Sequence, residues 1–184
     1  NKYYYYSLFM YSVNIHDLSS SKHRDKFISK VIKNWNLDIE LIYGSNFKNT
    51  KFLRDFTEKI CTKLWLTTKE VSRFILIVDE LNNNAIEYWT DKLWENKMRI
   101  KTELYDNSID IVIEVEDNWK WEKNKTALEM ETLRAHQLKL WFVGHESIRW
   151  RWLFMITVKS VDRLYFKDTV EGGLIVWVMK KIEI

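Results

Sequence analysis

The segment that most constrains the fold is residues 74–89, which read FILIVDELNNNAIEYW and have the spacing of an amphipathic helix. At about 100° per residue, the apolar side chains here form one stripe. The stripe comprises Val71, Phe74, Ile75, Val78, Leu81 and Ala85. Glu80 and Asn84 lie at positions i and i+4, so their side chains stack on one face. That face lies roughly opposite the stripe, beside Leu76 and Ile77. We expect such a helix to be covered on both sides, by a sheet on the stripe and by a ligand on the polar patch.

The composition is that of a soluble globular protein of one domain, or of one domain with an N-terminal extension. Of the 184 residues, 46% are hydrophobic and 30% are charged. The net charge of +3 is too small to predict nucleic-acid binding. A single cysteine, Cys61, excludes an internal disulfide and a multi-cysteine zinc site, which is typical of a cytoplasmic protein. Cys61 lies in an apolar helical pattern, so we expect an inert core residue.

The first 36 residues do not begin with Met, which favours a fragment or a processed product. Their aromatic start is too short and too polar to span a bilayer. We predict a strand near residues 8–15 and a basic amphipathic helix over 19–34. The inward side chains of that helix are Phe27, Ile28, Val31 and Ile32.

The remaining pattern alternates helices and strands. A strand is predicted at 37–41, a helix at 48–64, and a capping box at Thr67 and Glu70 that opens the Glu80 helix. Strands at 98–102 and 109–115 are joined by a turn at Asp106-Asn107. A polar insert at 122–148, helical over 125–139, precedes a helix at 151–160 and strands at 161–168 and 174–182. This order predicts an α/β two-layer sandwich with helices on one face of a mixed sheet.

Two further groups of residues lie where elements end or begin. Asp117 directly follows the strand IDIVIEVE, which places a carboxylate at the rim of the sheet, and Trp119 and Trp121 come next. The run Arg149-Trp150-Arg151-Trp152-Leu153 opens a predicted helix, where backbone N–H groups are suited to phosphate.

The pattern E-x-x-x-N-A at Glu80, Asn84 and Ala85, ahead of a strand that ends in Asp117, resembles the N-box of the histidine-kinase-like ATPase superfamily. Within that superfamily, the chain resembles the anti-sigma-factor serine/threonine kinases from about residue 37 to 182. The resemblance implies an α/β (α+β) two-layer sandwich with a mixed, mostly antiparallel sheet and helices packed on one face. It implies an N-terminal extension of unknown role at 1–36 and an ATPase domain at 37–184, with an ATP-lid insert at 122–148.

The resemblance also implies ATP and Mg²⁺ as cofactors. Asn84 would bind Mg²⁺ through its amide oxygen, Glu80 would be the general base, and Asp117 would accept a hydrogen bond from the adenine amino group. Two loops would hold the nucleotide phosphates. They contain Trp119, Trp121, Arg149, Trp150, Arg151, Trp152 and Leu153. Histidine kinases usually lack a carboxylate where Glu80 stands, which favours a hydroxyl group or water as the acceptor. Gly173-Leu174 stands where the family often has Gly-Thr, so one polar contact near adenine is expected to be missing.

By this resemblance the chain is a cytoplasmic ATP-dependent protein serine/threonine kinase. It would sequester a sigma factor and phosphorylate an antagonist protein, without binding nucleic acid or membrane; a homodimer is left open. One alternative is a pseudo-kinase interaction module that keeps the fold but binds no nucleotide. Another is the ATPase module of a larger sensor protein.

The clearest departure from the family is that four glycines of its boxes are tryptophans here. The family patterns D-x-G-x-G and G-x-G correspond to Asp117–Trp121 and to Trp150–Trp152. Glycine is needed in such loops because positive φ and close approach to phosphate leave no room for a side chain. An indole adds on the order of 200 Å² of surface in the space of the nucleotide. Genuine tryptophans at these positions are therefore expected to abolish ATP binding.

The same exchange recurs outside the boxes, at Trp65, Trp89, Trp94 and Trp141, which stand at helix ends or in turn-like contexts. The chain has 10 Trp, 4 Gly and no Pro, against roughly 13 Gly and 9 Pro in ordinary usage at this length. We hypothesise that the gene uses a code in which UGA means glycine and that these eight positions are glycines. The alternatives are a degenerate pseudo-enzyme and a deliberately altered chain.

Overall fold

A computed structural model of the chain describes residues 10–32, 35–88, 95–117, 126–140 and 160–184. Its strands are β1 Tyr11–Asn14, β2 Leu37–Gly44, β3 Glu95–Tyr105, β4 Ser108–Glu116, β5 Arg163–Asp168 and β6 Leu174–Glu183. Its helices are α1 Ser21–Val31, α2 Lys48–Lys63, α3 Thr68–Tyr88 and α4 Ala127–Leu140, with a short 3₁₀ helix at Ile15–Leu18. The strands form one sheet in the order β1-β2-β3-β4-β6-β5. Only the β1–β2 pairing is parallel among these strands, so the predicted mixed, mostly antiparallel sheet is confirmed.

The sheet buries one face because its strands alternate apolar and polar residues. In the central hairpin, Met98 pairs with Val115 and Ile100 with Ile113, and all four side chains are at most 2% exposed. Apart from Val112, their neighbours on the other face are charged, and all of them are partly exposed. On the buried face, α3 contacts β3 and β4, and α2 packs along α3. The two-layer sandwich predicted from the order of elements is confirmed.

The segment before residue 37 contributes to the same core. Strand β1 pairs with β2 at one edge of the sheet, within the predicted strand region. Four side chains of this segment belong to the main hydrophobic cluster: Ile15, Leu18, Ile28 and Val31. The predicted inward face of α1 is confirmed at Ile28 and Val31, whereas Phe27 and Ile32 are only partly buried against the core.

Several local predictions hold at the level of single residues. Asp106 and Asn107 form the turn of the β3–β4 hairpin. The capping box at the start of α3 is present, since Thr67 N donates to Glu70 Oε2 at 2.8 Å and Glu70 N donates to Thr67 Oγ1 at 3.3 Å. Cys61 is buried, and burial raises the pKa of its thiol to about 12, as expected of an inert core residue.

Some predicted features fall on residues that are not described. The predicted helix at 151–160 lies outside the described residues except for its last residue, and Trp89, Trp94 and Trp141 lie outside them entirely. None of the helices within the described ranges has the length and apolar character needed to cross a membrane.

Helix α2 ends in a complete Schellman motif with Trp65 at the position that glycine normally occupies. Leu66 N donates to Cys61 O at 3.2 Å, and Trp65 N donates to Thr62 O at 3.1 Å. This pattern requires a left-handed residue after the helix, and Trp65 has φ of 55°. The indole makes few buried contacts that would offset this backbone strain, because Trp65 is 83% exposed. The helix end predicted from sequence to require glycine therefore has the backbone conformation of glycine.

A second tryptophan, Trp35, also lies in the left-handed region, with φ of 66°. Within the described residues, Trp35 and Trp65 are the non-glycine residues with positive φ. The other described tryptophan, Trp177, lies within β6 and stacks on Tyr165 with ring centroids 4.4 Å apart. The sequence analysis did not single out Trp35, although it stands between two asparagines, which are common turn residues. Both left-handed positions are therefore suited to glycine, and Trp177 is suited to tryptophan.

We expect Trp65→Gly to raise the free energy of unfolding by about 1 kcal/mol, because it relieves left-handed strain without removing a buried contact. Thermal or urea unfolding of the two chains measures the difference. The matched control is Trp177→Gly, which removes a stacked ring from a strand and is expected to destabilise the protein. A Trp65→Gly chain that is less stable than the starting chain would contradict the argument.

Candidate functional site

Helix α3 carries the two residues that the sequence placed one turn apart. Glu80 is partly buried, and Asn84 is 8% exposed. The apolar stripe is only partly as predicted. Ile75 is partly buried, whereas Ile77, expected beside Glu80, is 1% exposed. Since α3 contacts α2 as well as the sheet, more of its circumference is covered than the single stripe implied. The predicted contact of α3 with the sheet is confirmed, whereas the predicted ligand beside Glu80 and Asn84 stays a prediction.

Asp117 directly follows β4, as predicted, and is 1% exposed at the rim of the sheet. Its Oδ1 accepts a hydrogen bond from Leu174 N at 2.9 Å, and its own N donates to Leu174 O at 3.1 Å. The start of β6 therefore holds both the backbone and the carboxylate of this residue. A carboxylate has about four lone-pair sites, so it can accept several hydrogen bonds at once.

Gly173 packs directly on Asp117. A Cβ atom at Gly173 would lie 3.0 Å from the carbonyl carbon of Asp117 and closer still to its carbonyl oxygen. Gly173 N in turn donates to Thr169 Oγ1 at 2.7 Å, which anchors the β5–β6 turn. The sequence had marked Gly173-Leu174 for a polar contact missing near adenine. In the structure, this pair instead positions Asp117 through backbone groups.

Buried polar side chains gather at one end of the core. Tyr43 pairs with Asn96 in the sheet, and Asp117 lies one step beyond the Lys97–Glu116 pair, so these three residues occupy neighbouring positions on three strands. The hydrogen bond from Tyr43 to Asn82 brings this part of α3 to the same end of the sheet. We call this group the polar end of the core. It comprises Tyr43, Asn82, Asn96 and Asp117, each at most 1% exposed.

Asn82 joins α3 to the sheet within the polar end. Tyr43 Oη donates a short hydrogen bond to Asn82 Oδ1. Asn82 Nδ2 donates to Val78 O at 2.7 Å and to Met98 Sδ at 3.2 Å. Burial raises the pKa of the Tyr43 hydroxyl, and the negative charge of Asp117 raises it further, so Tyr43 remains a proton donor.

The sequence prediction missed both Tyr43 and Asn82. The signal was available for Asn82, because it stands four residues after Val78 and therefore falls on the apolar stripe. A polar residue at such a position must find a buried partner. Tyr43 gives no comparable signal, since it simply continues the alternation of β2.

One ion pair links α2 to α3 beside Glu80. Arg54 Nη1 lies 3.0 Å from Asp79 Oδ2, and both side chains are partly exposed. Desolvation raises the pKa of Asp79, and the charge of Arg54 opposes that shift. The pair contributes to the contact between the two helices without entering the polar end.

The side chains of Asn84, Glu80 and Asp117 carry functional groups of the types suited to a magnesium–nucleotide site. Asn84 offers an amide oxygen to a metal ion and Glu80 offers a carboxylate that can accept a proton, and Mg²⁺ is usually held by one or two protein oxygen ligands together with substrate phosphates and water. Asp117 offers an acceptor for an amino group. No group of three or more His, Cys, Asp or Glu side chains that could hold a metal ion occurs among the described residues. The residues predicted to hold the phosphates lie outside the described residues: Trp119, Trp121, Arg149, Trp150, Arg151, Trp152 and Leu153.

Comparisons with known proteins find no family for this chain and a distant structural likeness. No protein-family model matches the chain, and the search of curated proteins found no match. Among solved structures, one match is a chain from the crystal structure of the SiaB–SiaC complex from Pseudomonas aeruginosa. The two chains are 9% identical with a TM-score of 0.48, over 88% of this chain and 97% of the other. A likeness this distant does not bear on function.

Substituting Gly173→Ala tests whether close backbone packing holds Asp117. The added methyl would collide with main-chain atoms of Asp117 that cannot move independently of β4. We expect a loss of about 2 kcal/mol in the free energy of unfolding, measured by urea denaturation.

Gly44→Ala is the matched control, because no heavy atom lies within 4 Å of a Cβ at Gly44. That variant is expected to stay within about 0.5 kcal/mol of the starting protein. Equal stabilities of the two variants would show that the contact at Gly173 does not constrain Asp117.

Proposed function

We propose that the protein binds Mg²⁺–ATP and transfers its terminal phosphoryl group to a serine or threonine of another protein. The observation that carries the proposal is that α3, which bears Glu80 and Asn84 one turn apart, is hydrogen-bonded through Asn82 to the end of the sheet where Asp117 lies buried. The sequence pattern supports the same assignment, because E-x-x-x-N-A resembles the N-box of anti-sigma-factor kinases.

Each residue has a chemical role in this proposal. Asn84 would hold Mg²⁺ through its amide oxygen, which leaves positions on the ion for phosphate oxygens and water. Asp117, fixed by Leu174 and Gly173, would accept a hydrogen bond from the adenine amino group. Glu80 is partly buried and would take the proton from the attacking hydroxyl group. The bound metal ion would neutralise charge on the transferring phosphoryl group.

The phosphate loops would have to be glycine-like for this chemistry. The left-handed backbones of Trp35 and Trp65 support the hypothesis that several tryptophan positions are glycines in the natural protein. We therefore include in the proposal that Trp119, Trp121, Trp150 and Trp152 are also glycines. UGG codons at these positions would exclude the UGA hypothesis.

The partners in the proposal come from the resemblance alone. An antagonist protein would supply the hydroxyl group, and a sigma factor would be the sequestered partner. If the tryptophans are genuine, the second candidate function is a nucleotide-free interaction module with the same fold, because indoles would occupy the phosphate loops.

Thermal unfolding with Mg²⁺–ATP separates the two candidates. The chain with Trp→Gly at 119, 121, 150 and 152 is expected to gain about 2.7 kcal/mol at ATP concentrations about 100 times the dissociation constant, which is a rise of several degrees in Tm. The chain with all four tryptophans is expected to show no shift, because indoles fill the space of the phosphates.

The control for this experiment is Asp117→Asn in the glycine-containing chain. Replacing one carboxylate oxygen by an amide NH₂ places a donor where adenine also has a donor, so the shift should disappear. A folded glycine-containing chain that shows no shift with ATP would favour the interaction module. Equal shifts for both chains would show that the glycine argument is wrong.

Glu80→Gln is expected to separate catalysis from binding. The amide keeps the shape of the side chain but is not a base, so phosphoryl transfer should fall by about 10²- to 10⁴-fold while ATP affinity is retained. Transfer from γ-labelled ATP to a serine-containing protein substrate measures the rate. Glu87→Gln, a change on an exposed carboxylate of the same helix, should leave the rate unchanged. Equal rates for Glu80→Gln and the starting protein would exclude Glu80 as the base.

A further inference from the structure

Asn82 lies between the two proposed functional residues of α3, and its side-chain amide is fully hydrogen-bonded. Its oxygen accepts from Tyr43 Oη, and its two N–H groups donate to Val78 O and Met98 Sδ. Flipping the amide would place its oxygen against the carbonyl oxygen of Val78, so the network determines one orientation. Both Asn82 and Tyr43 are 0% exposed.

These contacts connect three elements at one point. Val78 belongs to α3 itself, Tyr43 to β2 and Met98 to β3. Apolar contacts alone would resist separation of the helix from the sheet, but they would allow small rotations and shifts. Hydrogen bonds are directional, with donor–hydrogen–acceptor angles that prefer to exceed about 150°. The Asn82 amide therefore restrains the rotation of α3 as well as its distance from the sheet.

The position of Asn82 makes that rotation important for the site. Glu80 and Asn84 are each two residues away, which places them about 160° around the helix from Asn82. Asn82 contacts the sheet, and a rotation at this anchor would displace the side chains of Glu80 and Asn84 on the other side. The polar end also contains Asp117, so the same anchor sets α3 relative to that carboxylate.

We infer that Asn82, held by Tyr43, is a positioning residue that sets the orientation of Asn84 and Glu80 relative to Asp117. The inference rests on the proposed function for its consequence in metal and nucleotide binding. Its structural part, the orientation of Asn84, is independent of ATP.

The test replaces both partners at once, with Tyr43→Phe and Asn82→Leu in one chain. Removing both members of a buried hydrogen bond in favour of apolar groups of similar shape leaves no unpaired group and is nearly neutral for stability. The matched control is Thr102→Val, which removes another buried hydroxyl, one that donates to Trp35 O at 2.6 Å farther along β3.

The first measurement is the ¹⁵N order parameter of the Asn84 side-chain amide in the nucleotide-free chain. We expect a rigid amide in the starting protein and in Thr102→Val, and a clearly lower order parameter in the double variant. An unchanged Asn84 amide in a folded double variant would overturn the inference. If the double variant does not fold, Tyr43→Phe alone is measured by the same criterion.

The second measurement is ATP affinity with and without Mg²⁺, in the chain with glycine at 119, 121, 150 and 152. In the double variant, the factor by which Mg²⁺ increases the affinity for ATP should fall about three- to tenfold. The affinity measured in EDTA should be unchanged. Equal loss with and without Mg²⁺ would contradict a role in orienting Asn84. Absence of ATP binding in the parent chain would refute the proposed function, and the order parameter would still decide the inference.

Discussion

The arrangement of the candidate site depends on one requirement, that polar groups buried at the end of an apolar core must be hydrogen-bonded. An unpaired buried amide or hydroxyl costs about 1–3 kcal/mol, a sizeable part of the stability of a single domain. The Tyr43–Asn82 contact satisfies this requirement across two elements. In doing so it attaches α3, which carries Glu80 and Asn84, to the end of the sheet where Asp117 lies. The hydrogen bonds that pair these buried polar groups are therefore also the contacts that we infer to orient the candidate site.

Backbone conformation imposes a second constraint, and it concerns glycine. At Gly173 the main chain of the β5–β6 turn approaches Asp117 so closely that a Cβ atom would collide. At Trp65 the Schellman motif requires a left-handed residue, although the side chain there is an exposed indole. The first position is a glycine that packing requires. The second is a tryptophan in a conformation that favours glycine, which supports the same interpretation for tryptophans in the phosphate loops.

Much of the fold could be predicted because its strands alternate regularly and its helices have clear start signals. The hairpin at Asp106-Asn107 and the capping box at Thr67 follow from local chemistry and are confirmed. The site was less predictable. Asp117 was expected at the rim of the sheet, but its attachment to Leu174 joins residues 57 positions apart. The burial of Ile77 was missed because the helical projection assumed a single buried face. In the structure, α3 packs against both α2 and the sheet.

The sequence by itself determined where the residues of the proposed site stand: Glu80 and Asn84 one helical turn apart, and Asp117 directly after a strand. It also marked Trp65 as a position suited to glycine, because helix ends have local chemical rules. Only the tertiary structure decided that Asn82 faces the sheet and that Tyr43 is its partner. The physical reason is that the pairing of β2 with β3 and the packing of α3 arise from contacts between distant parts of the chain. Local patterns do not encode such contacts until the strands and helices have assembled.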